Sequence, residues 1–146
     1  TCTPTQVNRY RSRISGPLLD RIDIQVEVSN VDYEDLSSTE NSETSAEIKK
    51  RVNKTRKLQL ERYKDYNIYS NSQLDAGMLK KFCPLGEEEN AILRAAFDNL
   101  GLSARAHSRI LKVARTIADL EGSENIKSEH IAEAIQYRSL DRKYFE

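Results

Sequence analysis

The stretch that decides the fold is 102–122, LSARAHSRILKVARTIADLEG. Ser103 is placed to accept a hydrogen bond from the otherwise unpaired N–H groups of a first helical turn. Ala106, Ile110, Ala114 and Ile117 then recur at three- and four-residue steps, so a helix lays them along one ridge, which Leu111 and Ala118 widen. Gly122 follows the last periodic residue, where a left-handed C-terminal cap favours glycine. A helix this apolar along one face needs other elements around it.

The flanking sequence supplies them. Towards the N-terminus, Glu87-Glu88-Glu89 load negative charge onto a helix start, where the dipole favours it. That helix carries Ala91, Ile92, Ala95, Ala96 and Leu100 and stops at Gly101. A short helix is expected over Asp75–Phe82. Thr44-Ser45-Ala46-Glu47 is a capping box opening a basic helix to about Tyr63, with a sparse apolar face of Ile48, Val52, Leu60 and Tyr63. On the C-terminal side, Glu129–Tyr137 places Ile131, Ala134 and Ile135 on one face. At the start of the chain, Thr3-Pro4-Thr5-Gln6 forms another capping box. It opens a helix with Val7, Tyr10 and Ile14 on one face, ended by Gly16-Pro17. Ile22, Ile24, Val26 and Val28 alternate with Asp23, Gln25 and Glu27, the pattern of a half-buried strand over Ile22–Val28. The residues therefore predict a mainly α chain: a helix–strand piece over 1–29, an acidic polar linker over 30–43, and a helical bundle over 44–146.

Composition agrees. The chain has 146 residues, 38% hydrophobic and 32% charged, with 5 Gly and 3 Pro, a scarcity that favours helices over a turn-rich β fold. No apolar run approaches the roughly 20 residues of a membrane span, and no secretory leader pattern is visible, so no membrane partner is expected. Cys2 and Cys83 do not suggest a disulfide framework, and a reducing, cytoplasmic setting is expected. Basic and acidic residues balance at 23 each, so net charge does not single out a polyanionic partner. Their distribution is uneven. Ile22 to Ile48 holds eight acids and no Lys or Arg; Lys49 to Lys64 holds eight bases and one acid, Glu61. Lys50, Lys54 and Lys57 share a helical face, which is either simply solvated or shaped to touch a nucleic-acid backbone.

Self-contained catalytic motifs are missing. There is no G-x-x-x-x-G-K-[ST], no G-x-G-x-x-G and no Cys or His pair at metal-binding spacing, so no metal site is expected. His107 and His130 fall on different helices and read as structural; Cys83, between Phe82 and Pro84, reads as a buried thiol. Two arginines are placed oddly. Arg21, in SGPLLDRIDI (15–24), sits where the chain turns into the expected strand. It is either paired with Asp20 or Asp23 at the surface or held there for a purpose. Arg105, in SARA, falls in the first turn of its helix and opposes the dipole. Either it splays into water, or it joins the helix N-terminus as an anion pocket.

At these residues the sequence resembles a known family. CTPTQVNRYRSRISGPLLDRIDIQVEV (2–28) and LSARAHSRILKVARTIADLEGSENIKSEHIAEAIQYRSLDRKYF (102–145) resemble the C-terminal part of magnesium-chelatase-like AAA+ ATPases. The nearest branch is the ComM competence-protein type. The resemblance implies a helical AAA+ lid preceded by a helix–strand remnant of the α/β ATPase core. It implies that Arg21 is an arginine finger reaching the ATP site of a neighbouring subunit, and that Arg105 is the sensor-2 arginine contacting nucleotide phosphates. ATP and Mg2+ are implied for the parent protein, with Walker A and Walker B residues upstream of Thr1. By itself this stretch is expected to bind no cofactor and to be inactive. The partners implied are further copies in a homo-oligomeric ring, expected to be a hexamer, and DNA, on which the ComM type acts in branch migration. Cys2 resembles the last of a cysteine cluster in the parent. The alternative is a non-catalytic DNA- or protein-interaction module using the basic helix 49–64.

Overall fold

A computed structural model describes residues 2–11, 13, 18, 21–30 and 43–138; among them the chain is mainly helical and no strand forms. The described helices are α1 (Pro4–Arg11), α2 (Ser45–Arg62), α3 (Ala76–Phe82), α4 (Glu87–Leu100), α5 (Ala104–Glu121) and α6 (Ser128–Gln136), with a 3-10 turn at Asn71–Gln73. None is long and apolar enough to cross a membrane.

α5 is the centre of the bundle. The Ala106 N–H donates to Ser103 Oγ at 3.1 Å, and Gly122 closes the other end at φ 84°, a left-handed conformation that costs other residues strain. Ala106, Ile110, Ala114 and Ala118 are fully or almost fully buried, and Leu111 is buried beside them. α2, α3, α6 and the 3-10 turn pack around α5, and α4 packs on α6. Leu74, Leu79, Leu93, Leu102, Ile126 and Ile131 complete the core. Tyr63 is wholly buried and meets the edge of Phe82, centroids 5.0 Å apart. Fully burying an Ile such as Ile110 or Ile131 contributes about 1.5–3 kcal/mol. Cys83 is buried too, and burial pushes its thiol up to about 11, so it is an unreactive core residue.

The other capping assignments also hold. Thr44 and Glu47 exchange hydrogen bonds at the start of α2 (Thr44 N–H to Glu47 Oε2, 2.8 Å; Glu47 N–H to Thr44 Oγ1, 3.3 Å). The Thr44 N–H, and the Thr44 hydroxyl that donates to the same Oε2 at 2.7 Å, hold the Glu47 carboxyl below its usual range. Asp75, read from the sequence as the first residue of its helix, instead stands just before α3 and caps it, accepting from the Met78 N–H at 2.7 Å. The Thr3 N–H donates to Gln6 Oε1 at 2.9 Å at the start of α1. Ile14 and the Gly16-Pro17 stop lie outside the described residues.

Two expectations need correction. The sparse apolar face of α2 is not what docks it: Ile48, Val52 and Leu60 are exposed, and only Tyr63 of that set is buried. The helix docks instead through Gln59 and Arg62, because their partner is a buried carboxylate, Asp119 of α5; Thr55, buried on the same face, donates to the Arg51 carbonyl of its own helix at 3.2 Å. Arg62 donates through Nη1 to Asp119 Oδ2 (2.8 Å), Asn71 through Nδ2 (2.9 Å), Gln59 through Nε2 (3.3 Å) and Arg115 through Nε to Oδ1 (3.0 Å). Burial alone would push the Asp119 carboxyl up, but the bonds from Arg62 and Asn71 and the charges of Arg115 and Arg62 outweigh it and hold it low. Arg115 itself is 2% exposed and also donates to the Ser123 and Glu124 carbonyls, closing the turn after α5.

The second correction is the strand. Residues 22–30 lie outside any sheet, and Ile22, Ile24, Val26 and Val28 are all exposed, Val28 at 84%. A strand exists only with a ladder partner, and among the described residues the segment has one backbone bond to the bundle, Gln25 N–H to the Tyr137 carbonyl at 2.9 Å.

Candidate anion-binding face

The first residues of α5 face this unladdered segment. Ser103 is the N-cap, so Arg105 is the second helical residue, with its side chain exposed. Steps of four and three bring Arg109 and Lys112 onto the same stripe. A groove of about 670 Å³ runs along it, walled by Arg105, Arg109, Lys112, Val113, Ile117 and Leu120 of α5, by Glu133 and Tyr137, and by Ile24 and Val26 of the N-terminal segment. Three cations thus line a groove with apolar stretches along its walls, which two acids, Asp23 and Glu133, also line. Lys112 is held by the Ser72 carbonyl, to which its ammonium donates at 2.8 Å. The helix dipole adds partial positive charge at the α5 N-terminus, so the face suits a negatively charged ligand with an apolar body.

The N-terminal segment is tied to this face by side chains of the bundle. Arg109 Nη1 donates to the Arg21 carbonyl at 2.8 Å and forms an ion pair with Asp23. Arg138, 2% exposed, donates through Nη1 to the Ile22 carbonyl at 2.9 Å. Arg21 stands on a turn closed by its N–H to the Leu18 carbonyl at 3.0 Å, with its side chain exposed. The backbone of Arg21 is therefore held by a residue one helical turn along from Arg105, although 84 positions separate the two arginines in sequence.

Lys50, Lys54 and Lys57 are elsewhere. All three are exposed on α2, on the face opposite Thr55 and Gln59, and none lines the groove. Sequence reasoning missed Arg109, Lys112 and Arg138. For the first two a signal was present, since Arg105, Arg109 and Lys112 repeat the helical step. Nothing local announces Arg138, whose target is 116 residues away.

One further cluster has metal-ligating residue types: Glu121, Glu129 and His130, whose ligand atoms lie within 4.8 Å of one another. Its hydrogen bonds do not suit a metal. The Lys127 N–H donates to His130 Nδ1 at 2.9 Å, so Nε2 carries the proton of the neutral ring and donates to Glu121 at 2.6 Å. The Lys127 ammonium meanwhile lies 3.7 Å from Glu121 and 3.1 Å from Glu129. The His130 bond and the Lys127 charge hold the Glu121 carboxyl below its usual range. This buried histidine fastens the end of α5 to the start of α6. His107 is exposed, at a separate shallow groove beside Arg94, Phe97 and Asp98.

Comparison with known proteins matches residues 42–138 to the magnesium chelatase, subunit ChlI C-terminal family and residues 1–36 to the magnesium chelatase, subunit ChlI family. Competence protein ComM of Haemophilus influenzae is 43% identical over 96% of the chain, and uncharacterized protein YifB of Escherichia coli is 42% identical over 97%. Uncharacterized protein Rv2897c of Mycobacterium tuberculosis is 28% identical over 94%. The chain spans 27% of the length of each of these relatives.

Proposed function

The chain belongs to the magnesium chelatase, subunit ChlI C-terminal family, and from that premise we propose that it is the C-terminal part of an AAA+ ATPase, supplying Arg105 to nucleotide phosphates and Arg21 to the ATP site of a neighbouring copy. The observation that carries this reading is the gathering of Arg105 and Lys112 near the start of α5, beside the segment that bears Arg21 and that Arg109 holds. Residues 1–29 then belong to the ATPase core, 30–43 to a linker and 44–146 to the helical lid. The exposed row Ile22, Ile24, Val26 and Val28 suits a strand completed by the rest of the longer protein.

In this reading the longer protein supplies the phosphate-binding loop and the acids that hold Mg2+. The Arg105 guanidinium binds phosphate oxygens through its planar fork, backed by the dipole of α5. Arg21 neutralises charge that develops on the γ-phosphate oxygens during transfer. A finger acts on a neighbour's site, so the protein works as a homo-oligomeric ring, and we take it to be a hexamer in the cytoplasm. Arg105→Ala in the full-length protein is expected to weaken ATP binding by roughly 10- to 100-fold, the value of charge-assisted hydrogen bonds. Arg105→Lys is expected to recover little of it. Equilibrium ATP binding checks this; wild-type affinity in Arg105→Ala would remove Arg105 from the site.

A second reading rests on α2, where Lys50, Lys54 and Lys57 form an exposed basic face, and on the competence role in the name of the ComM relative. Here α2 touches the DNA on which the ring works. Three neutralised phosphates predict a slope of about −2.7 in log K against log salt. Charge reversal at all three lysines is expected to lower that slope towards zero and to leave ATP binding unchanged. DNA affinity that survives the reversal with its salt slope intact would exclude α2 from the interface.

A further inference from the structure

We propose that Arg109 is a positioning residue that sets the finger Arg21 and ties it to the helix that carries Arg105. The proposal rests on the reading of Arg21 as a finger and goes beyond it. A finger arginine must be held to within about 1 Å to act, because misplacement on that scale costs around a hundredfold in rate. Arg21 stands on a turn ahead of the 22–28 segment, closed by its N–H to the Leu18 carbonyl, so a ladder that the segment forms in the longer protein does not itself fix this corner. The bundle does. Arg109 Nη1 takes the Arg21 carbonyl at 2.8 Å and pairs with Asp23; Arg138 Nη1 takes the next carbonyl, that of Ile22, at 2.9 Å; the Gln25 N–H reaches the Tyr137 carbonyl at 2.9 Å.

Of these contacts, only the one from Arg109 grips Arg21 itself. A guanidinium suits the task because its several N–H donors serve a carbonyl and a carboxylate together. Asp23 also balances the charge of Arg109, so that Arg109 holds the chain and leaves the anion to Arg105 and Lys112. Arg109 follows Arg105 by one turn on a helix whose other side is locked into the core by Ala106, Ile110 and Ala114. Any shift of α5 that follows phosphate contact at Arg105 therefore carries Arg109, and through it the Arg21 carbonyl. Nucleotide bound at one site is thereby read out as the position of the finger offered to the next.

The test is a double-mutant cycle in the full-length protein, following turnover of radiolabelled ATP and thermal unfolding. Arg109→Ala is expected to lower kcat by about a hundredfold with KM almost unchanged. Asp23→Asn, which keeps the bond to the Arg21 carbonyl, is expected to cost less. In an Arg21→Ala background, Arg109→Ala is expected to change kcat by less than about twofold, because its action runs through Arg21. Losses that multiply instead, or an Arg109→Ala enzyme with wild-type kcat, overturn the proposal and leave the finger reading standing. Wild-type turnover in Arg21→Ala overturns both. If Arg109→Ala does not fold, Arg109→Lys takes its place in the same cycle with the same criteria.

Discussion

Arg21→Ala in the full-length protein is expected to leave folding and ATP affinity almost unchanged and to lower ATP turnover by about three orders of magnitude or more. The fold survives because an exposed corner charge contributes little stability, and the Arg21 side chain is exposed. The contacts that pin this corner use the Arg21 carbonyl, which alanine keeps. On the proposed reading, affinity survives because the finger serves a pocket on another copy, and turnover falls because charge developing on the transferring phosphoryl group loses its planar counter-ion. Arg21→Lys is expected to rescue poorly, since an ammonium does not span two phosphate oxygens. Unfolding of Arg21→Ala, seen by circular dichroism, or an unchanged ATPase rate would make Arg21 a structural residue.

The largest expected loss of stability comes from Asp119→Ala, about 3–5 kcal/mol, the cost of breaking a buried pair from one side. The Asp119 side chain has no exposed area, and its removal strands the buried Arg115, the Gln59 amide and one amide bond of Asn71. α2 would lose its main tie to α5. The midpoint of urea unfolding at constant slope measures the change; a loss under about 1 kcal/mol would show that the network contributes little. The same carboxylate fixes the direction of the pH dependence. Its folded pKa is depressed below the ordinary aspartate value of about 3.9, so its contribution is fully present above that value. The contribution is lost as pH falls through the lower folded pKa. Asp119→Asn is therefore expected to flatten the acid limb of the stability curve while leaving the neutral-to-alkaline limb in shape.

Much of the helical fold was legible because its signals are local. Ser103, Gly122, Gly101 and the Thr44–Glu47 box are read within four residues of where they act, and all four are found as read. The ridge Ala106, Ile110 and Ala114 follows from helical periodicity alone. The docking of α2 was not legible, since Gln59 and Arg62 look like solvated residues until Asp119, about 60 positions on, is known to be buried beneath them. The strand misled for the opposite reason: alternation in 22–28 is a local pattern, whereas a strand depends on ladder partners, and none of the described residues provides one. Of the candidate site, Arg105 could be singled out because a cation in a first helical turn breaks a local rule. Arg21 stood out by its corner position, and the Arg109 link between them required the fold.

The central claim, that Arg21 acts on the pocket of a neighbouring copy, is tested most directly by mixing two inactive full-length proteins and measuring ATPase activity against their ratio. One carries Arg21→Ala and keeps a sound pocket; the other lacks the lysine of the phosphate-binding loop and keeps a sound Arg21. Mixed rings contain interfaces where a sound pocket meets a sound finger. The account predicts activity that is absent at both ends of the titration and highest at intermediate ratios. A mixture that stays inactive at every ratio, while the two proteins are shown to assemble together, would contradict it and place the role of Arg21 within its own subunit.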